Sequence, residues 1–498
     1  MNRLWMAAAV VMLSTGNLRA AALEDRDWIE VRSANFSIRS AIGEKVAVQL
    51  ARNLEHFRAA VGLVTNLSST ESSVPIRVYL VDGRADIMQL GVDADVAGFI
   101  HPTQRAYNVV LRNVQGMSEI GIVLHEYVHY LIRNHNGLQY PKWYDEGFAE
   151  YLGSSGLRGK YFLLGRPNKD RAPDLQYGIR MPLRTILRAD LEYESWSSQQ
   201  RAMFYAQSWA LVHYLQTVVA KERNFSELMA ECLKMMDAGL PGDEAFAAAF
   251  GLNPDELGVS LNRYLDAGRF AYLKIEADAL VQEFAYTVEP LAAAPVALGL
   301  ADIAALGGAD AAARGWYAIA AADPQFAGPA QLRSGLLNAA AALPEFESEF
   351  DGALALCPDD AYCQLDYANY LARRANVAGA AAETELINRA RQHYVKAWRL
   401  NDSIPEVYAA YGQSFLRGER DADKAVQLLD DARYLLSSNL EIRFNLGRAL
   451  AAAGRRDEAI AALRSVVVWS HSGSALARKA AAVLQRLEAP SDTAANAQ

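Results

Sequence analysis

The chain has 498 residues, 52% of them hydrophobic and 21% charged, with a formal net charge of −9. That is the composition of a globular protein long enough for two or three domains. Lys and Arg nowhere form a dense run, and an acidic chain argues against nucleic acid or an anionic membrane surface as a partner.

Residues 1–22 read as a secretory signal peptide. Arg3 supplies a positive start, Leu4 to Leu13 an apolar core too short to span a bilayer, and Ala20, Ala21 and Ala22 offer cleavage sites. The mature protein is therefore expected in the periplasm or the medium, with no stable membrane span. An uncleaved N-terminal anchor is the alternative.

Residues 25–115 alternate between strand and helix patterns. Trp28 to Val31 and Asn35 to Ile38 predict a hairpin, Glu44 to Val61 an amphipathic helix, and Pro75 to Val81 a strand closed by Asp82-Gly83. Phe99 to His101 and Tyr107 to Leu111 predict two more strands around a polar turn.

The next stretch is Val123-Leu124-His125-Glu126-Tyr127-Val128-His129-Tyr130, a His-Glu-x-x-His motif. On a helix, positions i and i+4 share a face, so His125 and His129 can hold one ion, with Glu126 beside them to work on a water. Ser118 is a candidate N-cap. Ile120, Leu124, Tyr127, Val128 and Leu131 make the apolar stripe, and Asn136-Gly137 ends the run.

Sixteen residues separate His129 from Glu146, which lies within Trp143-Tyr144-Asp145-Glu146-Gly147-Phe148-Ala149-Glu150-Tyr151. Glu146 and Glu150 again sit at i, i+4. A catalytic zinc takes three protein ligands and leaves one position open, which makes Glu146 the candidate third ligand. Glu150 can orient a ligand histidine through its free ring N–H.

This pair of motifs resembles the gluzincin metallopeptidases, most of all the peptidase MA-like bacterial proteins, and more distantly thermolysin and the alanyl aminopeptidases. The resemblance covers roughly residues 25–280. It implies a zincin-like domain with a small mixed sheet, a bound Zn2+, and an edge strand before the metal helix that holds substrate backbone by strand addition. Ala97 to His101 or Tyr107 to Leu111 would be that strand, unless both are ordinary core strands. It also implies that Glu150 hydrogen-bonds the first ligand, His125. The aminopeptidases carry Gly-x-Met-Glu-Asn at the strand, whereas Val96-Ala97-Gly98-Phe99-Ile100 has no acid, so the expectation is an endopeptidase.

Residues 138–280 are expected to be mostly helical. Tyr205, in Tyr205-Ala206-Gln207-Ser208-Trp209, resembles by its spacing the helix start of the aminopeptidases whose tyrosine donates to the oxyanion. By carry-over it takes that role, a packed core tyrosine being the bland alternative. His213 reads as a packing residue, and His101 and His135 have no partner at ligand spacing. Cys357 and Cys363 can pair or stay as free buried thiols, and Cys232 stands apart.

From about Leu291 the chain turns Ala-rich and repetitive. Ala425 and Ala459 lie 34 apart, Gly412 and Gly447 lie 35 apart, and Ala390 lies 35 before Ala425. Residues 355–488 thus resemble tetratricopeptide (TPR) helix pairs, with degenerate copies in 291–354. Such pairs stack into a groove for a peptide or protein partner, or form a purely structural cap.

The expected fold class is α+β, a zincin-like metallopeptidase domain followed by an all-α TPR-like solenoid. The expected boundaries are 1–22 signal peptide, 23–115 N-terminal subdomain, 116–285 helical zinc-binding subdomain, 291–488 repeats and 489–498 disordered tail. Since repeats contact mainly their neighbours, a chain cut near Glu289 is expected to keep its zinc site. The expected activity is zinc-dependent hydrolysis of exported proteins or peptides, with His125, His129 and Glu146 on the metal, Glu126 and Tyr205 catalytic, and Glu150 behind the ligands. The rivals are an inactive zinc-binding scaffold acting through its TPR repeats, and a zinc hydrolase for a non-peptide amide. A purely structural site has no need of Glu126.

Overall fold

A computed structural model describes residues 22–65, 74–94, 96–112, 117–135, 139–221, 223–338, 344–470 and 474–489. The segment up to residue 21 expected to be a signal peptide, the expected Asn136-Gly137 helix stop and the residues beyond 489 lie outside the described residues. The first half is built from β1 (Ile29–Arg32), β2 (Ser37–Ser40), α1 (Glu44–Thr65), β3 (Ile76–Val81), α2 (Arg84–Gln89), β4 (Gly98–Pro102), β5 (Tyr107–Arg112) and α3 (Met117–His135). β1 and β2 form the expected hairpin, antiparallel from Ile29 opposite Ser40 to Arg32 opposite Ser37. β2, β3 and β5 run parallel, and β4 folds back antiparallel on β5. β4 is therefore the edge strand and β5 an inner one, which decides between the two candidates for an edge.

Side chains alternate along a strand, and here both faces are covered. Val78 and Leu80 of β3 face α1 and α3, in one large core with Val109 and Leu111 of β5. Tyr79 and Val81 face the other way, with Val110. What covers that second face comes from far along the chain.

The chain continues with α4 (Lys142–Gly153), β6 (Gly156–Arg158), β7 (Tyr161–Leu164), α5 (Ala172–Tyr177), α6 (Leu183–Leu187), α7 (Ala189–Glu192), α8 (Ser198–Thr217), α9 (Phe225–Asp237), α10 (Gly242–Phe250), α11 (Pro254–Ala267), β8 (Leu273–Glu276), α12 (Ala277–Leu280) and β9 (Thr287–Pro290). The helices expected here are present. β6, β7 and β8 add a three-stranded antiparallel sheet that the sequence reading did not anticipate. β9 returns to the first sheet and pairs antiparallel with β1, completing the order β4-β5-β3-β2-β1-β9.

The second half is all helix. It comprises α13 (Ala293–Leu306), α14 (Asp310–Ala321), α15 (Pro324–Leu336), α16 (Glu347–Ala355), α17 (Ala361–Ala375), α18 (Ala380–Leu400), α19 (Pro405–Ser414), α20 (Ala422–Leu435), α21 (Leu440–Ala452), α22 (Arg456–Trp469) and α23 (Ala475–Glu488). Consecutive helices pack in pairs, as in a TPR-like solenoid. The repeat glycines have a steric reason. A Cβ on Gly412 would meet Leu429 of α20 at 2.9 Å, and one on Gly447 would meet Leu463 of α22 at 2.8 Å. Ala425 and Ala459 are fully buried at the same pair interfaces. Cys357 and Cys363 are joined in a disulfide between α16 and α17.

Two expectations need correction. The boundary near 291 is not a break in the core. Val296, Ala297, Leu300 and Ile303 of α13 and Trp316 and Tyr317 of α14 form one cluster with Leu23, Trp28, Tyr79, Val81, Ile87, Leu90 and Val110. The far end of the solenoid also returns to the first half, where Trp469 Nε1 donates to Asp237 at 2.6 Å and Gln139 to the Ser438 carbonyl at 2.8 Å. The second correction concerns the groove. The face made by α17, α19 and α21 looks inward, across a cleft of about 710 Å³, at the turn between β4 and β5. Arg105 of that turn reaches Asp366 of α17 at 2.6 Å, bonds Glu406 of α19 and lies over the Tyr362 ring. The chain's own β4–β5 turn thus takes up part of this face, beside the open cleft.

Candidate metal centre

α3 is amphipathic in the manner its sequence implies. Val123, Leu124, Tyr127, Val128 and Leu131 are buried in the main core, while His125 and Glu126 look outward into a cleft of about 530 Å³. α4 packs against α3 and brings Glu146 to the two histidines. His125 Nε2 and His129 Nε2 lie 3.2 Å apart, and Glu146 Oε2 lies 3.4 Å from the first and 3.5 Å from the second. These three residues are the one group of metal-type donors found together among the described residues. The spacing fits a tetrahedral ion, whose bonds of about 2.1 Å set neighbouring ligand atoms about 3.4 Å apart. Two imidazoles and a carboxylate are also a donor set suited to zinc.

The imidazoles and carboxylates of the group act on one another's charge. Burial disfavours charge on His129, but the Asp145 and Glu146 carboxylates overcome this and raise it to about 10. Burial likewise works against Glu146, and the two imidazoles outweigh it, holding the carboxyl well below its ordinary range.

The residue behind the ligands differs in part from the expectation. Glu150 Oε1 faces His125 Nδ1 at 3.7 Å, too far for a hydrogen bond. It is instead gripped by Arg171 at 2.5 Å and Asn168 at 2.7 Å. The direct bond is made by Asp145, whose Oδ1 accepts from His129 Nδ1 at 2.9 Å and so leaves Nε2 free for a metal. Sequence reasoning passed over Asp145. The signal was there, a carboxylate adjoining the candidate ligand on the same helix. Arg171 and Asn168, on a loop after β7, carried no signal.

Glu126 lines the cleft with His125 and Tyr205 and has no ion-pair partner among the described residues. Tyr205 comes from α8. It is placed by Gly147 of α4, where an added Cβ would sit 2.4 Å from the Ser208 carbonyl oxygen of α8. The glycine of the second motif therefore lets α8 lie directly against the helix that bears Glu146. The Tyr205 hydroxyl accepts from Tyr193 at 3.3 Å, and the Arg171 guanidinium lies over its ring. Burial first, and then Glu146, push its ionisation above the usual phenol range, so it stays a neutral donor. His213 is buried and bonded to Tyr264 at 2.8 Å, in keeping with a packing role. His101 packs edge-on against Phe99 on β4, and the side chain of His135 lies outside the described residues.

The sequence model of a family described as a protein of unknown function (DUF1570) matches residues 119–234, from α3 into α9. No curated protein matches the chain. Among solved structures, the chain is similar to a thermophilic TPR protein of Thermus thermophilus, at 22% identity and a TM-score of 0.31, over 38% of this chain and 98% of that one. The APC/C hetero-tetramer Cut9-Hcn1 is matched at 14% identity and 0.31, over 64% and 62%. Yeast Tom70 is matched at 14% identity and 0.31, over 59% and 61%. The chain thus spans less than two thirds of the length of the last two.

Proposed function

We propose that this chain is a zinc-dependent peptidase of the gluzincin kind, acting on exported proteins or peptides. The observation that carries the reading is the meeting of His125, His129 and Glu146 at tetrahedral spacing, with His125 opening into a cleft also lined by Glu126 and Tyr205. Bound zinc would supply a Lewis acid that polarises a carbonyl and eases deprotonation of water. Glu126 takes the proton from the attacking water and returns it to the leaving amine. Tyr205 donates to the oxyanion. Asp145 holds the His129 tautomer, and Arg171 pairs with Glu150 behind His125. β4, the open edge beside α3, offers backbone groups to an extended substrate. The disulfide suits an oxidising compartment outside the cytoplasm, and no helix among the described residues is long and apolar enough to cross a membrane.

The test is mass spectrometry of fragments released from unfolded polypeptide by the wild type, the chelated protein and Glu126→Gln. New cleavages should vanish in the last two, with zinc content unchanged in Glu126→Gln and kcat down at least ~10²-fold. Undiminished cleavage by Glu126→Gln would end the mechanism. Zinc bound without any cleavage would favour the scaffold reading.

A further inference from the structure

The same cleft carries cations that neither the metal centre nor its supports use. Its walls beyond α3, α8 and the end of α4 come from the stretch running from β6 to α5, with Arg158, Arg166, Lys169 and Arg171. Arg171 is spent on Glu150. Arg166 is not spent on any acid. Its Nε donates to the Ser154 carbonyl at 3.0 Å, and Ser154 Oγ donates back to the Arg166 carbonyl at 2.7 Å. Ser154 caps the C-terminus of α4, so the guanidinium is tied to the helix that bears Glu146. Its two amino groups have no acceptor among the described residues, and neither Arg158 nor Lys169 has an ion-pair partner there.

The cleft's carboxylates do not compensate. Glu150 is neutralised by Arg171, Glu126 belongs to the reacting centre, and Asp170 stands exposed at the rim. Burial and then the neighbouring Arg158 charge both work against the Arg166 guanidinium and lower it from its ordinary value. Two arginines that repel each other beside a half-buried, pre-anchored fork leave a place for an anion. A guanidinium held by Nε with free amino groups suits a carboxylate, which it can take with two parallel hydrogen bonds.

We propose that Arg166, with Arg158 and Lys169 at its rim, is a subsite for a substrate carboxylate next to the scissile bond. This rests on the peptidase reading and extends it to a substrate class, peptides bearing a negative charge within a few residues of the cut. The carboxylate is either an acidic side chain or the free C-terminus, and the two are separable by experiment.

The experiment uses matched peptides, one set with Glu replaced by Gln at each position flanking a cut, the other with a free or an amidated C-terminus. kcat/KM should favour the charged member of one set by about 10–100-fold, the range for a charge-assisted pair in a partly dry site. Arg166→Gln and Arg158→Gln should bring that ratio towards one, and Arg166→Lys should restore part of it. The set that shows the preference identifies the source of the carboxylate. Equal cleavage of charged and neutral peptides, or a preference that survives both variants, would overturn the subsite and leave the peptidase reading standing. If no peptide is cleaved, calorimetric titration of the zinc-loaded Glu126→Gln chain with the same peptides decides the matter. Tighter binding of the charged member, lost with added Arg166→Gln or Arg158→Gln, sustains the subsite, and equal binding removes it.

Discussion

Ending the chain after Pro290 should destroy the candidate metal centre, although every candidate ligand and catalytic residue precedes the cut. Truncation strips α13 and α14 from the sheet. Seven apolar side chains of the first half, Leu23, Trp28, Tyr79, Val81, Ile87, Leu90 and Val110, lie in the cluster those helices complete, and each is at most 2% exposed. Returning a large apolar side chain to water costs about 1.5–3 kcal/mol, so the set amounts to roughly 10–20 kcal/mol as an upper bound. That equals or exceeds the total stability of a typical domain, about 5–15 kcal/mol. The Trp316 bond to Glu24, at 2.8 Å, goes with it. The assay is urea unfolding with zinc analysis, full length against residues 22–290. The truncated chain should show no cooperative transition and hold no stoichiometric zinc. A sharp transition within a few kcal/mol of full length, with zinc retained, would refute the shared core and restore an independently folding first half.

Three further outcomes follow from the site. Tyr205→Phe removes the hydroxyl, and with it the bond it accepts from Tyr193, but keeps the ring, and should lower kcat roughly 10²–10³-fold with little change in KM, and near-normal turnover would return the residue to the core. Asp145→Asn should weaken zinc binding by ~10–100-fold, measured by chelator competition, and more than Glu150→Gln, because only Asp145 bonds a ligand directly. Asp190, which accepts from the Lys142 N–H at the start of α4, is raised by burial from 3.8 to about 6. A carboxyl raised on folding favours the native state at low pH and disfavours it as pH climbs between those two values, by about 3 kcal/mol in all. Asp190→Asn should therefore stabilise the protein above pH 6 and match wild type near pH 4, and parallel Tm curves across that range would contradict the assignment.

Much of the centre was legible because helix geometry is local. His125 with His129, and Glu146 with Glu150, stand at i, i+4, and the backbone repeat alone puts each pair on one face. The apolar stripe of α3 said which face was buried. The repeat glycines were legible for the same reason, since Gly412 and Gly447 mark where one helix must press against the next. None of this reasoning could rank Asp145 above Glu150. Both project from α4 near the histidines, and the choice turned on Arg171 and Asn168, which a loop brings to Glu150 and away from its expected partner.

The sequence by itself therefore determined the main helices and the strands of the first sheet up to β5, the buried face of α3, and the grouping of His125, His129 and Glu146. The tertiary structure alone decided that β4 is the edge, that β9 closes the sheet against β1, that α13 covers the sheet's second face, and that Arg105 occupies the inner face of the solenoid. The physical reason is that spacing within one element is set by the bonds of the backbone. A pairing such as Ile29 with Pro290, or Arg105 with Asp366, is won in competition among all the surfaces the chain must bury. The Tyr79 and Val81 side chains needed a cover, and no pattern within β3 says that it arrives more than two hundred residues later.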